Sequence, residues 1–415
     1  MSGAGQLTLL ASGVFGARML GVTGRGQLAL LLLLSSIVTA LGSLGVPLAV
    51  TYWTARDGGL SQRSRARIVS FGIQQVLLVT GLHAAILVGL FADASSAVTE
   101  AAVISLAATP GLLVYQYSLA ILQGERRFTS FNTQRLLLPG LYAFLVTALY
   151  VAKAHSLVAV MVAWDVAVIV PAITSTIAVR RGPAPDAVVD APPLRELIRF
   201  GVKGLLGSVA PLETFQLDQA IVGLFISPAA LGLYVVGVAF TNVPRFIGQA
   251  IGLVAYPHMA AQPDARGARR STLRFMTVGF VLCGLSAAVI EVALRWLVPE
   301  LFGRSFVGAV GLARVLLISA LLVSMRRLLA DCARGAGLPG IGSASEIAAL
   351  ALFPVAVVVI GGGATGVAWA LVVSGGLAVA VVVPRLARTL GRVPPQAGES
   401  TAAEAGSRAA ELIGR

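Results

Sequence analysis

Charge is what this chain most lacks. Of its 415 residues only 12% are Asp, Glu, Lys or Arg, about half the share of a soluble globular protein. A soluble chain of this length needs a charged shell around its core. None can be assembled here, so lipid must be the solvent for most of the surface. A soluble enzyme, a nucleic-acid-binding domain and a disordered scaffold are excluded together. Cysteine is scarce too. Cys283 and Cys332 lie in or beside apolar stretches; two cysteines make neither a disulfide framework nor a zinc site, and they read as small buried hydrophobes. Of the three histidines, His83 falls in an apolar run and reads as hydrogen-bonded filler, while His155 and His258 fall in loops. Long loops are also missing. None exceeds about 25 residues, which leaves no room for a nucleotide-binding or catalytic domain outside the membrane. Acidic residues are fewer than basic ones, 18 against 31, for a net charge of +13. In a membrane protein such an excess reflects arginines retained in cytoplasmic loops.

What is present is hydrophobic: 57% of residues, gathered in runs. A span needs about 20 apolar residues. On that scale there are twelve candidates, at roughly 6–21, 27–52, 68–91, 101–122, 136–152, 157–179, 204–226, 229–256, 274–297, 308–328, 343–362 and 364–384. Alternation places 53–67, 123–135, 180–203, 257–273, 329–342 and the tail from 385 on one side. With the helix-end residues Arg274, Arg326 and Arg327, these segments hold 24 of the 31 basic residues. The opposite side is nearly bare; 92–100 carries Asp93 and Glu100 and no base. The positive-inside rule then puts both termini in the cytoplasm of a multi-pass protein of the cell membrane. Tyr52, Trp53, Tyr150 and Trp296 sit at span ends, where aromatic belts form. The first span would be only about 24 Å long at 1.5 Å per residue, with no basic flank before Arg18. That shortness predicts that the natural chain begins upstream of Met1.

The loop at 180–203 contains Arg-Gly-Pro-Ala-Pro and Ala-Pro-Pro and divides six spans from six. Displacing the chain by 206 residues aligns Gly26 with Gly232, Gly42 with Gly248 and Ala49 with Ala255, and so pairs span 2 with span 8. Six is even, so both halves would enter the membrane in the same orientation, related by a pseudo-two-fold along the membrane normal. The expected architecture is an all-α integral membrane protein of about 12 transmembrane helices. Two six-helix bundles, 1–180 and 204–384, would enclose a cavity. A cytoplasmic linker at 181–203 joins them, and a mobile cytoplasmic tail covers 385–415, with a short amphipathic helix possible at 402–413.

Several segments carry a resemblance. Ala17-Arg18-Met19-Leu20-Gly21-Val22-Thr23-Gly24-Arg25-Gly26-Gln27 resembles the first outer loop of bacterial polysaccharide flippases. These belong to the multidrug/oligosaccharidyl-lipid/polysaccharide exporter superfamily. Leu194-Arg195-Glu196-Leu197-Ile198-Arg199-Phe200-Gly201 resembles the approach to that family's seventh helix. Asp218-Gln219-Ala220-Ile221-Val222-Gly223, Leu231-Gly232-Leu233-Tyr234 and Tyr256-Pro257 follow in the family's order and spacing. The resemblance covers nearly the whole chain. It implies a flippase, not an enzyme, for a polyprenyl-diphosphate-linked oligosaccharide in surface polysaccharide biosynthesis. Its partners would be membrane lipid, the lipid-linked glycan, and a polysaccharide polymerase and glycosyltransferases; no nucleic acid, cofactor or metal is expected.

Ionisable residues inside spans cost about 2.5–3.5 kcal/mol on insertion scales and default to functional candidates. Arg245, after Pro244 near the centre of span 8, is read as a cationic contact for a diphosphate or acidic sugar; pairing with a carboxylate of its own bundle is the other reading. The proline is expected to free a backbone carbonyl one turn earlier. Arg18 and Arg25 run against the positive-inside trend, which leaves phosphate binding near the outer gate or packing of the loop. Arg314 is a further cavity candidate. For ion coupling the candidates are Asp218 and Glu213 in span 7 and Asp165, the only charge in span 6. Five residues apart on a helix, Glu213 and Asp218 differ by about 140°, so they point different ways. Asp218 is preferred because it falls in the family-like segment. A structural ion pair or hydrogen bond is the alternative for each carboxylate.

Gly361-Gly362-Gly363-Ala364-Thr365-Gly366 matches the dinucleotide-binding fingerprint but lies between two apolar helices, and reads as a tight turn. A drug or metabolite antiporter of the same fold is the nearest rival function, since one scaffold serves several cargoes. A major-facilitator transporter would carry a Gly-x-x-x-Asp-x-x-Gly-Arg-Arg loop after span 2; here Asp57-Gly58-Gly59 is followed by Leu60-Ser61-Gln62-Arg63. A polytopic glycosyltransferase would want acids in its first outer loop, which has Arg18 and Arg25 instead.

Overall fold

The computed structural model describes residues 3–56, 59–182, 192–208, 211–262 and 265–390. Among them the secondary structure is helical throughout, apart from turns and short links. Hydrocarbon offers backbone N–H and C=O groups no partner, so an apolar run must satisfy them within itself, which a helix does. In the N-terminal half the helices are α1 (Gly3–Gly42), α2 (Val46–Arg56), α3 (Gln62–Phe91), α4 (Ser96–Ser105), α5 (Ala108–Gly124), α6 (Phe128–Val151) and α7 (Leu157–Arg180). Then come α8 (Leu194–Ser208), α9 (Pro211–Thr214), α10 (Leu217–Phe225), α11 (Pro228–Ala239) and α12 (Asn242–Ala260). The last are α13 (Ala265–Phe302), α14 (Ala309–Gly335), α15 (Pro339–Ile360) and α16 (Gly363–Leu390). The expected tail helix at 402–413 and residues 183–191 of the expected linker lie outside the described residues, and the linker's last ten residues, 194–203, are helical in α8.

Among the described residues, ten continuous helical stretches are long and apolar enough to cross a membrane, against twelve expected runs. The difference has two local causes. Spans 1 and 2 meet at Gly21, whose φ of 66° and ψ of −174° turn the chain inside α1 with no intervening loop; only glycine adopts that conformation at little cost. Span 7 is not one helix. Gln216 takes a left-handed φ of 46°, and the run breaks into α8, α9 and α10. Side chains facing outward are apolar: Leu77, Leu78, Val88, Phe225, Val358 and Val359 are each at least 70% exposed, as a lipid-facing surface requires. Tyr52 and Trp296 are exposed at their span ends. Trp53 is not in a belt; it is buried, edge-on to Phe200 with ring centroids 4.8 Å apart.

The chain divides into two compact units. The first comprises Met1–Phe240, Ala293–Arg314 and Gly361–Val367; the second comprises Thr241–Val292, Val315–Ile360 and Ala368–Arg415. In the first, α1 packs on α6 and α11, and α5 packs on α2, α3 and α7. Val46, Val50 and Trp53 of α2 join Ile68, Ala120 and Leu197 in one buried cluster. Two loop regions expected on the same side and the end of α7 are tied together in this unit. Glu125 accepts from Arg65 at 2.8 Å and Arg127 at 3.3 Å, and Arg127 donates to the Ala178 carbonyl at 2.8 Å. In the second unit, Met259, Cys283, Leu328, Leu329 and Cys332 form the buried core. Both cysteines are free and buried, as small hydrophobes.

The half-chain repeat has a physical counterpart in the crossing of α1 and α11. A Cβ on Gly26 would overlap the Pro228 carbonyl oxygen and crowd the Gly232 backbone nitrogen; a Cβ on Gly232 would overlap the Val22 carbonyl oxygen and crowd the Gly26 nitrogen. A displacement of 206 exchanges Val22 with Pro228 and Gly26 with Gly232. The contact is therefore self-complementary, as a two-fold relation demands, and it exists because neither helix carries a side chain at the crossing. Gly81, by contrast, has nothing within 4 Å of its would-be Cβ. Gly26→Ala should accordingly lower the thermal midpoint of the detergent-purified protein by an overpacking cost of about 1–3 kcal/mol. Gly81→Ala should leave the midpoint unchanged or raise it. Equal midpoints for the two variants would dismiss the close crossing.

Candidate functional site

The intramembrane charges fall into three settings. The first is the bend region of α1. Arg18 sits three residues before the Gly21 bend and is exposed. Its Nε donates to the Leu301 carbonyl at 2.7 Å, and Nη2 donates to the Glu300 carbonyl. These are last-turn carbonyls of α13, which have no partner inside their own helix and carry the negative end of its dipole. Arg18 therefore closes a helix end with donors that a phosphate would otherwise compete for. Arg25, one turn past the bend, is half-buried, and its Nε has no hydrogen-bond partner. It lies within electrostatic reach of Tyr142 on α6. The Tyr142 ring meets Trp164 of α7 edge-to-face at 5.2 Å. Beside Trp164, Asp165 is 6% exposed with its Oδ1 unpartnered. The fold thus gathers Arg25, Tyr142 and Trp164 from three packed helices, with polar atoms to spare on Arg25 and Trp164; Asp165 is the next residue of α7, about 100° around that helix. Elsewhere in this unit, His83 bonds through Nδ1 to Thr109 Oγ1 at 2.8 Å while its Nε2 has no partner, so the hydrogen-bonded filler reading is met by one ring nitrogen.

The second setting is the broken span 7. Asp218 lies in the first turn of α10, buried, and accepts a hydrogen bond from the Tyr234 hydroxyl at 2.9 Å. The bond ties α10 to α11, and joins two of the segments that carried the family resemblance. Glu213 lies on the single turn α9, half-buried. The angular argument placing it about 140° from Asp218 does not survive, because the left-handed Gln216 interrupts the helix between them. The third setting is α12. The run expected as span 8 breaks near Phe240–Thr241, so Pro244 falls in the first turn of α12 rather than mid-helix. There its missing N–H costs nothing, and no carbonyl is freed by it. The Pro244 carbonyl instead accepts from Ser324 Oγ at 3.3 Å and from Cys283 Sγ at 3.4 Å. Arg245 follows, half-buried, with its Nε unpartnered. Arg314 is half-buried near the start of α14.

One buried charge was missed by sequence reasoning. Arg326 was grouped with the loop cations, yet it is 2% exposed and pairs with Glu346 of α15 at 3.1 Å. Its neighbour Arg327 is exposed. The signal available was only that an Arg-Arg pair ended an apolar run; which arginine turns inward depends on where α15 packs. Among the described residues no group of three His, Cys, Asp or Glu side chains is placed to hold a metal. Of the glycine run at 361–366, Gly361 and Gly362 make the turn between α15 and α16 and the rest is the first turn of α16, with a helix rather than a strand before it.

These features define an all-α, multi-pass membrane protein with charges kept inside its spans. Its fold is that of the superfamily shared by multidrug and flippase transporters. It is similar to an inward-facing multidrug resistance MATE family transporter of the MOP superfamily, at 17% identity and a TM-score of 0.67, covering 94% of this chain and 95% of that one. It is also similar to the lipid II flippase MurJ in an inward closed conformation, at 10% identity and a TM-score of 0.66, covering 92% and 85%. A third is a MOP superfamily transporter from Pyrococcus furiosus, described for the reversed polarity of its binding pocket, at 15% identity and a TM-score of 0.56, covering 94% and 92%. No curated protein matches the chain. The chain belongs to the polysaccharide biosynthesis protein family, whose model matches residues 16–311. The neighbours are transporters and a flippase rather than enzymes.

The buried pair gives a direct test. Removing one partner of a buried ion pair strands the other charge, at about 3–5 kcal/mol. Glu346→Gln should therefore sharply lower the thermal midpoint in detergent, and the double variant Arg326→Met/Glu346→Leu should recover most of it. A Glu346→Gln protein as stable as the parent would remove the pair from the account of this unit.

Proposed function

We propose that this protein is a flippase that moves a polyprenyl-diphosphate-linked oligosaccharide across the cytoplasmic membrane by alternating access, during surface polysaccharide assembly. Both termini face the cytoplasm, and the halves 1–180 and 204–384 are the moving bodies. The observation that carries the reading is a pair of guanidinium groups, Arg25 and Arg245, held within apolar spans with their Nε atoms unpartnered. An unpaired cation in a span is costly unless it serves a cavity. In a chain of the polysaccharide biosynthesis family, an anionic head group is the ligand whose chemistry matches it. A diphosphate must leave water on its way across, and a fixed guanidinium offsets part of that loss through paired N–H donors. An antiporter for organic cations would need the opposite sign there, which weighs against that rival.

Ion coupling is assigned to the carboxylates. Asp165 keeps an unpartnered oxygen inside its span, and Asp218 holds Tyr234. Protonation or cation binding at either would change which helices are tied together and so bias the equilibrium between inward- and outward-open states. Glu213 is a secondary candidate. Arg18 and Arg314 are proposed to act at the margins of the substrate path.

Two measurements test this reading. In a deletion strain, Arg245→Ala should abolish surface polysaccharide while the immunoblot level stays close to normal, and Arg245→Lys should restore part of it, because the charge survives and the fork does not. Full export by Arg245→Ala at normal abundance would end the binding role. For orientation, a cysteine at Ser95 should react with an impermeant thiol reagent in intact cells, and one at Ala66 should not. Both positions are exposed, and the native cysteines are buried. Labelling at Ala66 would invert the topology.

A further inference from the structure

A second polar site lies at the far end of α12 from Arg245, and no sequence feature singled it out. Arg327, Asp331 and Arg334 of α14 are spaced i, i+4, i+7 and share one helix face. Facing them are Gln249, Gly252 and Tyr256 of α12, on its own i, i+3, i+7 face. Together with Leu253 these six residues line a cavity of about 270 Å³. All belong to the second unit. Gly252 matters to the geometry: a Cβ there would collide with Asp331 Oδ2, so the carboxylate is seated against bare backbone. Asp331 Oδ1 holds Arg334. Arg327 has neither a hydrogen-bond nor an ion-pair partner among the described residues.

Arg327 lies eight residues before the end of α14, about 12 Å along the helix. α14 is longer than the membrane core needs, and an exposed guanidinium at this end of its span reaches water rather than hydrocarbon. The wall therefore offers one cation steadied by a carboxylate, one free cation, a phenol and an amide, with a net positive charge. Two guanidinium forks a helical turn or two apart suit a ligand with several anionic oxygens. We infer that this cavity is a loading site for a diphosphate anion, which takes the head group at the cytoplasmic end of α12 before it reaches Arg245, about seven residues or 10 Å further along the same helix. This assignment rests on the flippase reading and adds to it a place and a donor set. The free side chain of Arg327 makes the contact, Arg334 supplies the second charge, and Asp331 sets the strength by holding Arg334 back.

The sign of Asp331's contribution gives the test. Binding of farnesyl diphosphate, a short polyprenyl diphosphate, to the full chain in detergent is compared with binding of inorganic pyrophosphate and of farnesol. Arg327→Gln should weaken farnesyl diphosphate binding by about tenfold or more, the scale of a lost charge-assisted contact. Arg327→Lys should lose less. Asp331→Asn should tighten binding severalfold, because Arg334 is released to the ligand; a purely structural Asp331 would give the opposite result. Farnesol binding should not respond to these variants. Unchanged affinity in Arg327→Gln, or weaker binding in Asp331→Asn, would overturn the loading site. Pyrophosphate binding as tightly as farnesyl diphosphate, with the same dependence on Arg327, would uphold the anion site and remove the lipid from it. Export in the deletion strain judges the flippase reading separately, so the two can fail independently.

Discussion

Everything in this molecule follows from a solvent that forms no hydrogen bonds. In hydrocarbon each unpaired backbone amide or carbonyl costs several kcal/mol, so the chain has no choice but to close its own hydrogen bonds helix by helix. Once the backbone is satisfied that way, apolar side chains gain nothing by hiding from lipid. The helices can then present Leu77, Val88 or Val358 outward and spend their small residues on one another. The crossing of α1 and α11 at Gly26 and Gly232 is a backbone contact that a single methyl group would forbid, and at Gly252 a methyl would displace the Asp331 carboxylate from its seat.

The same constraint makes each interruption of a helix informative. The chain departs from helical geometry inside its spans at Gly21 and at Gln216, and its helical hydrogen bonding is interrupted between α11 and α12, where the backbone stays right-handed. Polar side chains lie beside each of these interruptions. Arg18 closes the end of α13 just before the Gly21 bend. Asp218 begins α10 directly after Gln216 and is held by Tyr234. Ser324 and Cys283 converge on the Pro244 carbonyl in the first turn of α12. Breaks of this kind are tolerated at membrane depth only where protein or a water-lined cavity surrounds them. That is why the candidate residues cluster around them.

The charges themselves sort by whether the fold has already used them. Arg18 and Arg326 spend donors on protein, one on helix-end carbonyls and one on Glu346. Arg25, Arg245 and Arg327 retain guanidinium groups with donors unspent. A structural cation in a span is expected to be neutralised from within; one left open is available to a ligand. Along α12 the open cations fall at its two ends, Arg245 in its first turn and Arg327 opposite its C-terminal half. A path along this helix would pass from one to the other.

The fold class was legible in the sequence because it depends on composition. A chain with 12% charged residues cannot dress a water-facing surface, and the twelve apolar runs, their basic loops and the polysaccharide-flippase motifs are properties of residues in order. The glycine pair matched at a displacement of 206 was legible for the same reason. Its meaning was not: that Gly26 and Gly232 touch is a fact about two helices separated by about 200 residues. Periodicity failed at span 7, because a single left-handed Gln216 resets the helical phase without any change in hydropathy. Burial decided the rest. Arg326 and Arg327 are identical and adjacent in sequence, yet one faces the core and the other a cavity, since a step of one residue turns a helix by about 100°. Which face meets α15 and which meets α12 is set by packing between distant segments, and only the tertiary structure decides it.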